Sequence, residues 1–127
     1  MTYGLGPAGY DVRVEFDKDG TLDVVHIPPG GFLLASTVER FSMPNDVIAF
    51  VHDKSSWARK GLAVQNTVIE PGWTGWLTLE LTNHSPGTIT LWKGMPIAQV
   101  VFHWLDQPAI GYDGKYHNQE RGPQKAR

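Results

Sequence analysis

The chain contains no cysteine. That excludes disulfides and every zinc site built on thiolates. It also suits a reducing compartment such as the cytoplasm, the location expected here. No apolar run reaches the roughly 20 residues that a membrane-spanning helix requires. Residues 1–9 carry neither a basic start nor an apolar stretch, so they do not read as a secretory signal. Positive charge is not in excess: 11 Lys and Arg stand against 13 Asp and Glu, a net charge of −2. That balance argues against a surface built to neutralise a nucleic-acid backbone, while a local basic cluster still suits a small phosphate ligand. There is no Walker loop, no dinucleotide fingerprint and no nucleophile elbow. The five His, at 26, 52, 84, 103 and 117, form no metal-ligand pair in sequence, so no protein-held metal is expected. His103, inside an alternating segment, reads as structural.

What is present fits one domain of 127 residues with an ordinary 41% of hydrophobic residues. A chain of this size leaves much surface uncovered, and association is the common remedy. Five Trp, four Tyr and five Phe supply aromatic surface for a core, a subunit contact or a ligand ring. The 14 Gly and 9 Pro cut the chain into short pieces. Those pieces predict strands over 10–16, 22–26, 32–41, 47–52, 62–65, 67–69, 76–82, 88–91 and 97–104. Residues 17–20 read as a hairpin turn joining the first two. Residues 55–60 are the single plausible helical turn, ended by Gly61. In 76–82, Leu77, Leu79 and Leu81 alternate with Thr78, Glu80 and Thr82. The class is therefore all-β, a barrel or sandwich. Residues 111–127 are polar and aperiodic, a tail unless something pins it.

Four constellations could carry chemistry, each with a plainer alternative. Asp53-Lys54-Ser55-Ser56-Trp57-Ala58-Arg59 opens the helical turn after an apolar strand. Its cations, hydroxyls and amides suit phosphate oxygens; alternatively Asp53 or Ser55 merely caps the turn. Glu80, amid threonines on a polar strand face, is a general base in a pocket or a solvent-facing carboxylate. Ile69-Glu70-Pro71-Gly72-Trp73-Thr74-Gly75 makes a tight turn whose Trp73 packs on a ligand, a neighbouring chain or the core. Tyr112-Asp113-Gly114-Lys115-Tyr116-His117-Asn118-Gln119 suits a polyphosphate, or is a mobile terminus.

In order along the chain, these segments resemble the dCTP deaminase/dUTPase superfamily. The carriers begin with Ala8-Gly9-Tyr10-Asp11-Val12-Arg13 and with Asp53 to Leu62. They continue through Val68 to Gly75, Leu77-Thr78-Leu79-Glu80, Gly94-Met95-Pro96-Ile97-Ala98-Gln99 and Lys115 to Gln119. The resemblance implies a distorted, mostly antiparallel β-barrel or jelly roll spanning residues 1–127 as one domain. It also implies a homotrimer with active sites between subunits and a C-terminal lid over about residues 111–127.

Glu80 in its Leu-Glu-Leu context is similar to the deaminase's catalytic glutamate, and the ending is like the deaminase's, not the Gly-rich closing motif of dUTPases. The activity implied is hydrolytic deamination of dCTP to dUTP and ammonia, zinc-independent, feeding dUMP and dTTP synthesis. Glu80, Ser55 and Arg59 would be catalytic. Lys54, Ser56, Trp57 and Ala58 would bind substrate with Asn66, Thr67 and Glu70. Thr78, Leu79, Gln99, Tyr112, Lys115 and Gln119 would complete the set. Mg²⁺ would arrive on the triphosphate, and neither nucleic acid nor membrane is a partner. Asp11 and Tyr10 read as structural. Glu70 stands where dUTPases place an aspartate that orients water, so a bifunctional enzyme releasing dUMP and pyrophosphate, or a dUTPase, is the alternative. A non-catalytic nucleotide-binding regulator is a third reading. The chain departs from the family pattern in being short and in carrying Lys54 where many members have Arg.

Overall fold

Short alternating segments and frequent breaks produce short strands in the computed structural model, which describes residues 2–127. Among the described residues these are β1 (Gly4–Leu5), β2 (Tyr10–Glu15), β3 (Val24–Ile27), β4 (Phe32–Ser42) and β5 (Val47–Asp53). After the single turn of α1 (Ser55–Ala58) come β6 (Leu62–Val64), β7 (Thr74–Asn83), β8 (Ile89–Trp92) and β9 (Pro96–Trp104). The main sheet runs β5-β9-β2-β4-β7-β6, with β1 added to β2, and β3 and β8 form a separate antiparallel pair. All named strand pairs are antiparallel. Ala49 of β5 and Ile69 exchange both backbone hydrogen bonds, at 3.1 and 2.8 Å, which nearly closes the sheet into a barrel.

The barrel interior is apolar, as the alternation requires. Val12, Val14, Leu79, Leu81, Ile97 and Val100 are all fully buried. Each large aliphatic side chain so buried contributes about 1.5–3 kcal/mol relative to leaving it in water. Trp57, on α1, is also buried and donates its indole N–H to the Pro96 carbonyl at 3.1 Å, tying the helical turn to β9.

Four expectations need correction. Residues 67–69 form no strand among the described residues; only the single Ala49–Ile69 bridge marks the segment, because the chain leaves β7 there to reach β5. The turn at residues 17–20 exists, with Gly20 N–H on the Asp17 carbonyl and the Asp17 carboxylate accepting from the Thr21 and Leu22 amides. It does not make a hairpin: β2 pairs with β4 and β9, while β3 pairs with β8. The buried valines of β2 belong in the barrel, and long-range partners serve them better than the half-exposed β3. Neither Asp53 nor Ser55 caps α1; the capping position is Lys54, without a side-chain bond. The Asp53 carboxylate instead accepts from the Val64 amide at 2.7 Å. Leu77 does not join the buried leucine face. A register shift in the β4–β7 ladder between Ser36 and Arg40 interrupts the alternation, leaving Leu77 half-buried beside Thr78.

The polar tail is pinned. Gln119 forms a parallel bridge with Gly75, donating its Nε2 to the Trp76 carbonyl at 2.8 Å and to Thr78 Oγ1 at 3.0 Å. Gly75 has φ 142°, and a Cβ there would lie 2.6 Å from the Gln119 nitrogen, so the close approach requires glycine.

Candidate active site

Strand β7 carries Glu80 on the face opposite Leu79 and Leu81, and the strands around it make a cleft of about 460 Å³, within the usual size range of ligand pockets. Phe32 and Leu34 of β4 form an apolar wall, with Leu34 directly opposite Glu80 and Phe32 opposite Thr82. Thr67, Val68, Ile69, Trp73, Tyr112 and Tyr116 also line it. Glu80 Oε2 is buried and has no hydrogen-bond partner among the described residues. Burial raises the Glu80 pKa above the ordinary carboxylate range, because the apolar surroundings penalise the charged form. An unpartnered carboxylate oxygen in a cleft is costly for structure alone and points to a ligand or water there.

Of the residues singled out from sequence, Asn66, Thr67, Glu70, Thr78, Glu80, Tyr112 and Gln119 line this one cleft. Several are already engaged. The Asn66 carboxamide accepts from the Glu80 amide at 2.9 Å and donates to the Thr78 carbonyl at 2.7 Å. The Gln119 carboxamide is bound to β7, so a triphosphate contact would require this docked tail to shift. Tyr112 N–H donates to the Pro71 carbonyl at 2.8 Å, and its hydroxyl accepts from the Tyr116 amide at 3.1 Å. Trp73, buried, donates its indole N–H to the Tyr116 carbonyl at 2.7 Å. Sequence reasoning singled out neither Phe32 nor Leu34 for the cleft. The β4–β7 pairing that brings them there is long-range, and no local signal announces it.

The phosphate-type motif does not line the cleft. Lys54 donates to Asp11 Oδ2 at 2.6 Å, and Gln99 lies beside Asp11 and His52 across β2, β9 and β5. Ser55 and Ala58 on α1 and Arg59, its C-cap, are exposed. Ser56 is half-buried on α1 and also stands away from the cleft. Leu79 and Trp57 are buried, and neither lines this cleft. Lys115 is exposed and donates to the Arg127 carbonyl. The cleft thus presents Glu80 and Glu70 but, among the described residues, no lysine or arginine. The Lys54 and Arg59 cations and the Glu80 carboxylate occupy separate regions of one chain. Nor, among the described residues, do three His, Asp or Glu side chains converge on a metal-holding position.

The barrel is that of the dUTPases. It superposes on the dUTPase of EIAV with a TM-score of 0.66 at 24% identity, covering 85% of this chain and 84% of that one. The dUTPase of Staphylococcus bacteriophage 80alpha, solved with dUPNHPP, gives a TM-score of 0.68 at 17% identity over 95% and 84% of the two chains. A variant dUTPase of phage phi11, with a structural Mg(II) ion, gives 0.67 at 17% identity over 91% and 88%. At these identities the likeness establishes the fold. The family follows from sequence: the model of dCTP deaminase-like proteins matches residues 12–105. The dCTP deaminase of Campylobacter fetus is 36% identical over 146 aligned positions, covering 94% of this chain and 78% of that protein. That of Wolbachia sp. subsp. Brugia malayi is 38% identical over 145 positions with the same coverage. The chain belongs to the dCTP deaminase-like family. Both alignments exceed its 127 residues, so these relatives carry residues that it lacks.

Proposed function

We propose that the chain deaminates dCTP hydrolytically, giving dUTP and ammonia, with Glu80 as the proton shuttle. The observation that carries this reading is the buried, unpartnered Glu80 Oε2 in the cleft, in a chain whose relatives are named dCTP deaminases. Glu80 takes a proton from water as the oxygen attacks C4 of the cytosine, and passes it to ring N3. The C4 hydroxyl then yields its proton through Glu80 to the amino group. The C4–N bond breaks, ammonia leaves and the 4-oxo group forms. A raised pKa moves the carboxylate towards working pH, which suits a group that must both accept and return a proton.

The active unit in this reading is a homotrimer, each site combining the Glu80 cleft of one chain with α1 of its neighbour. The separation of carboxylate and cations within one chain supports this. Ser55 and Arg59 of the neighbour orient the water and stabilise developing charge. Lys54, Ser56 and Gln99, with Lys115 and Gln119 once the tail rearranges, hold the triphosphate. Thr67 and the adjacent backbone meet the base. Mg²⁺ bound to triphosphate oxygens neutralises part of their charge; no zinc takes part, and the reaction belongs to the cytoplasm. Residues 111–127 close the cleft as a lid. No nucleic acid or membrane partner enters this reading, and no described helix is long and apolar enough to cross a membrane.

A second reading, a bifunctional enzyme giving dUMP and pyrophosphate, is favoured by one observation: Glu70 lines the same cleft as Glu80. Product analysis with dCTP and dUTP tests both. Ammonia with accumulating dUTP is the expected outcome. Pyrophosphate release would support the second reading, and no ammonia from dCTP would overturn the first.

A further inference from the structure

We infer that Asn66 is a positioning residue whose carboxamide replaces a missing length of strand beside Glu80 and holds the backbone from which the carboxylate projects. The inference rests on the proposed role of Glu80. Strand β6 pairs with β7 only as far as Val64 opposite Leu81. One further backbone bond follows, from Gln65 N–H to the Glu80 carbonyl at 2.9 Å. The chain then leaves β7 to reach β5 at Ile69. That departure would strand the Glu80 amide and the Thr78 carbonyl on an open strand edge.

Asn66 satisfies both. Its Oδ1 accepts from the Glu80 amide at 2.9 Å, and its Nδ2 donates to the Thr78 carbonyl at 2.7 Å. A carboxamide carries the donor and acceptor of a peptide group, so one side chain stands in for the next backbone unit of the ladder. Glu80 is thereby held at its amide by Asn66, at its carbonyl by Gln65 and across the ladder by Leu34.

The second consequence concerns the main chain. Because the side chain does the pairing, no backbone–backbone hydrogen bond engages residues 66–68 among the described residues. All three line the cleft. Asn66 commits one donor and one acceptor to the strand, and the part inferred for it in the reaction is indirect.

The test compares the parent with Asn66→Ala and Asn66→Asp by ammonia release from dCTP and by amide hydrogen exchange of the free proteins, read at Glu80 by NMR. Loss of the strap in Asn66→Ala should lower kcat on the order of 10–100-fold, because small displacements of a catalytic group are expensive. KM should change little, and the Glu80 amide should exchange about tenfold faster or more. Asn66→Asp keeps the acceptor and should keep that amide protected while losing the bond to Thr78; it also serves if the alanine variant does not fold. Parent-like Glu80 protection and kcat in Asn66→Ala would overturn the inference, as would a change confined to KM, which would make Asn66 a substrate ligand. If the parent released no ammonia, the deaminase reading would fail while the exchange measurement still reported on the strap.

Discussion

Leu34 stands directly opposite Glu80 across the β4–β7 ladder, so an aliphatic side chain is the cross-strand neighbour of the proposed catalytic carboxylate. At a cross-strand distance of about 4.5–5.5 Å between Cβ atoms, a leucine displaces water that would otherwise solvate the charge. Phe32, one pair further along opposite Thr82, extends the same wall. Burial raises the Glu80 pKa, and Leu34 is one of the neighbours that line the same cleft.

A stability prediction follows from the sign of that shift. Below the ordinary glutamate pKa the carboxyl is neutral in both folded and unfolded chains, and its burial carries no charge penalty. As pH rises through that value the unfolded chain loses its proton first, so the folded state loses stability until its own higher pKa is passed. Glu80→Gln should therefore raise Tm at neutral pH and leave it nearly unchanged near pH ~4. Thermal melts of both proteins across this range check it; a variant less stable than the parent at neutral pH would contradict it.

The tail should matter for turnover more than for folding. Its anchors are Gln119 on β7 and the Tyr116 carbonyl under the Trp73 indole, while the main aliphatic core lies in residues before 111. Deleting residues 111–127 should cost about 1–3 kcal/mol, from the buried polar groups left unpartnered. The strand signature in circular dichroism should persist, and deamination should fall at least 100-fold if lid closure excludes water from the site. Urea unfolding and ammonia release read the two effects separately. Unchanged kcat/KM would contradict a lid.

The division of the site between chains predicts complementation. Glu80→Gln and Arg59→Ala proteins should each be inactive, since each spoils one half of every site. Unfolded and refolded together, they should assort into mixed trimers in which roughly one site in four has both halves intact. Recovery of about that share of parent activity is the expected result. No recovery, with native mass spectrometry of a tagged chain showing that mixed trimers form, would place both groups in one chain's site.

Much of this was legible in the sequence because it is local. Gly and Pro punctuation and two-residue alternation mark the strands, and the apolar residues of β7 next to Glu80 mark its buried and open faces. The helical turn at Ser55–Ala58 is signalled by the Gly61 that follows it. What escaped depends on pairing between distant segments. The partners of β2, the wall of Phe32 and Leu34 and the shift that turns Leu77 into the cleft are all properties of ladders whose strands lie far apart in sequence. Asn66 is named among the site residues from the resemblance, but its bonding to β7 escaped for a different reason. A side chain that imitates backbone has no periodic signature, and only the geometry of β6 leaving β7 reveals it. The tail is aperiodic in sequence; its docking depends on glycine at position 75, outside the tail itself.

The most direct measurement is ammonia release from dCTP by Glu80→Gln. The substitution keeps size and polarity but removes the proton shuttle, and general acid–base catalysis contributes on the order of 10²–10⁴-fold. The rate should fall by at least that range while dCTP binding, measured by calorimetry, survives. A surface carboxylate without a role, or a nucleotide-binding regulator without chemistry, predicts no rate difference between the two proteins. A Glu80→Gln protein that folds, binds dCTP and releases ammonia at the parent rate would contradict the mechanism proposed here.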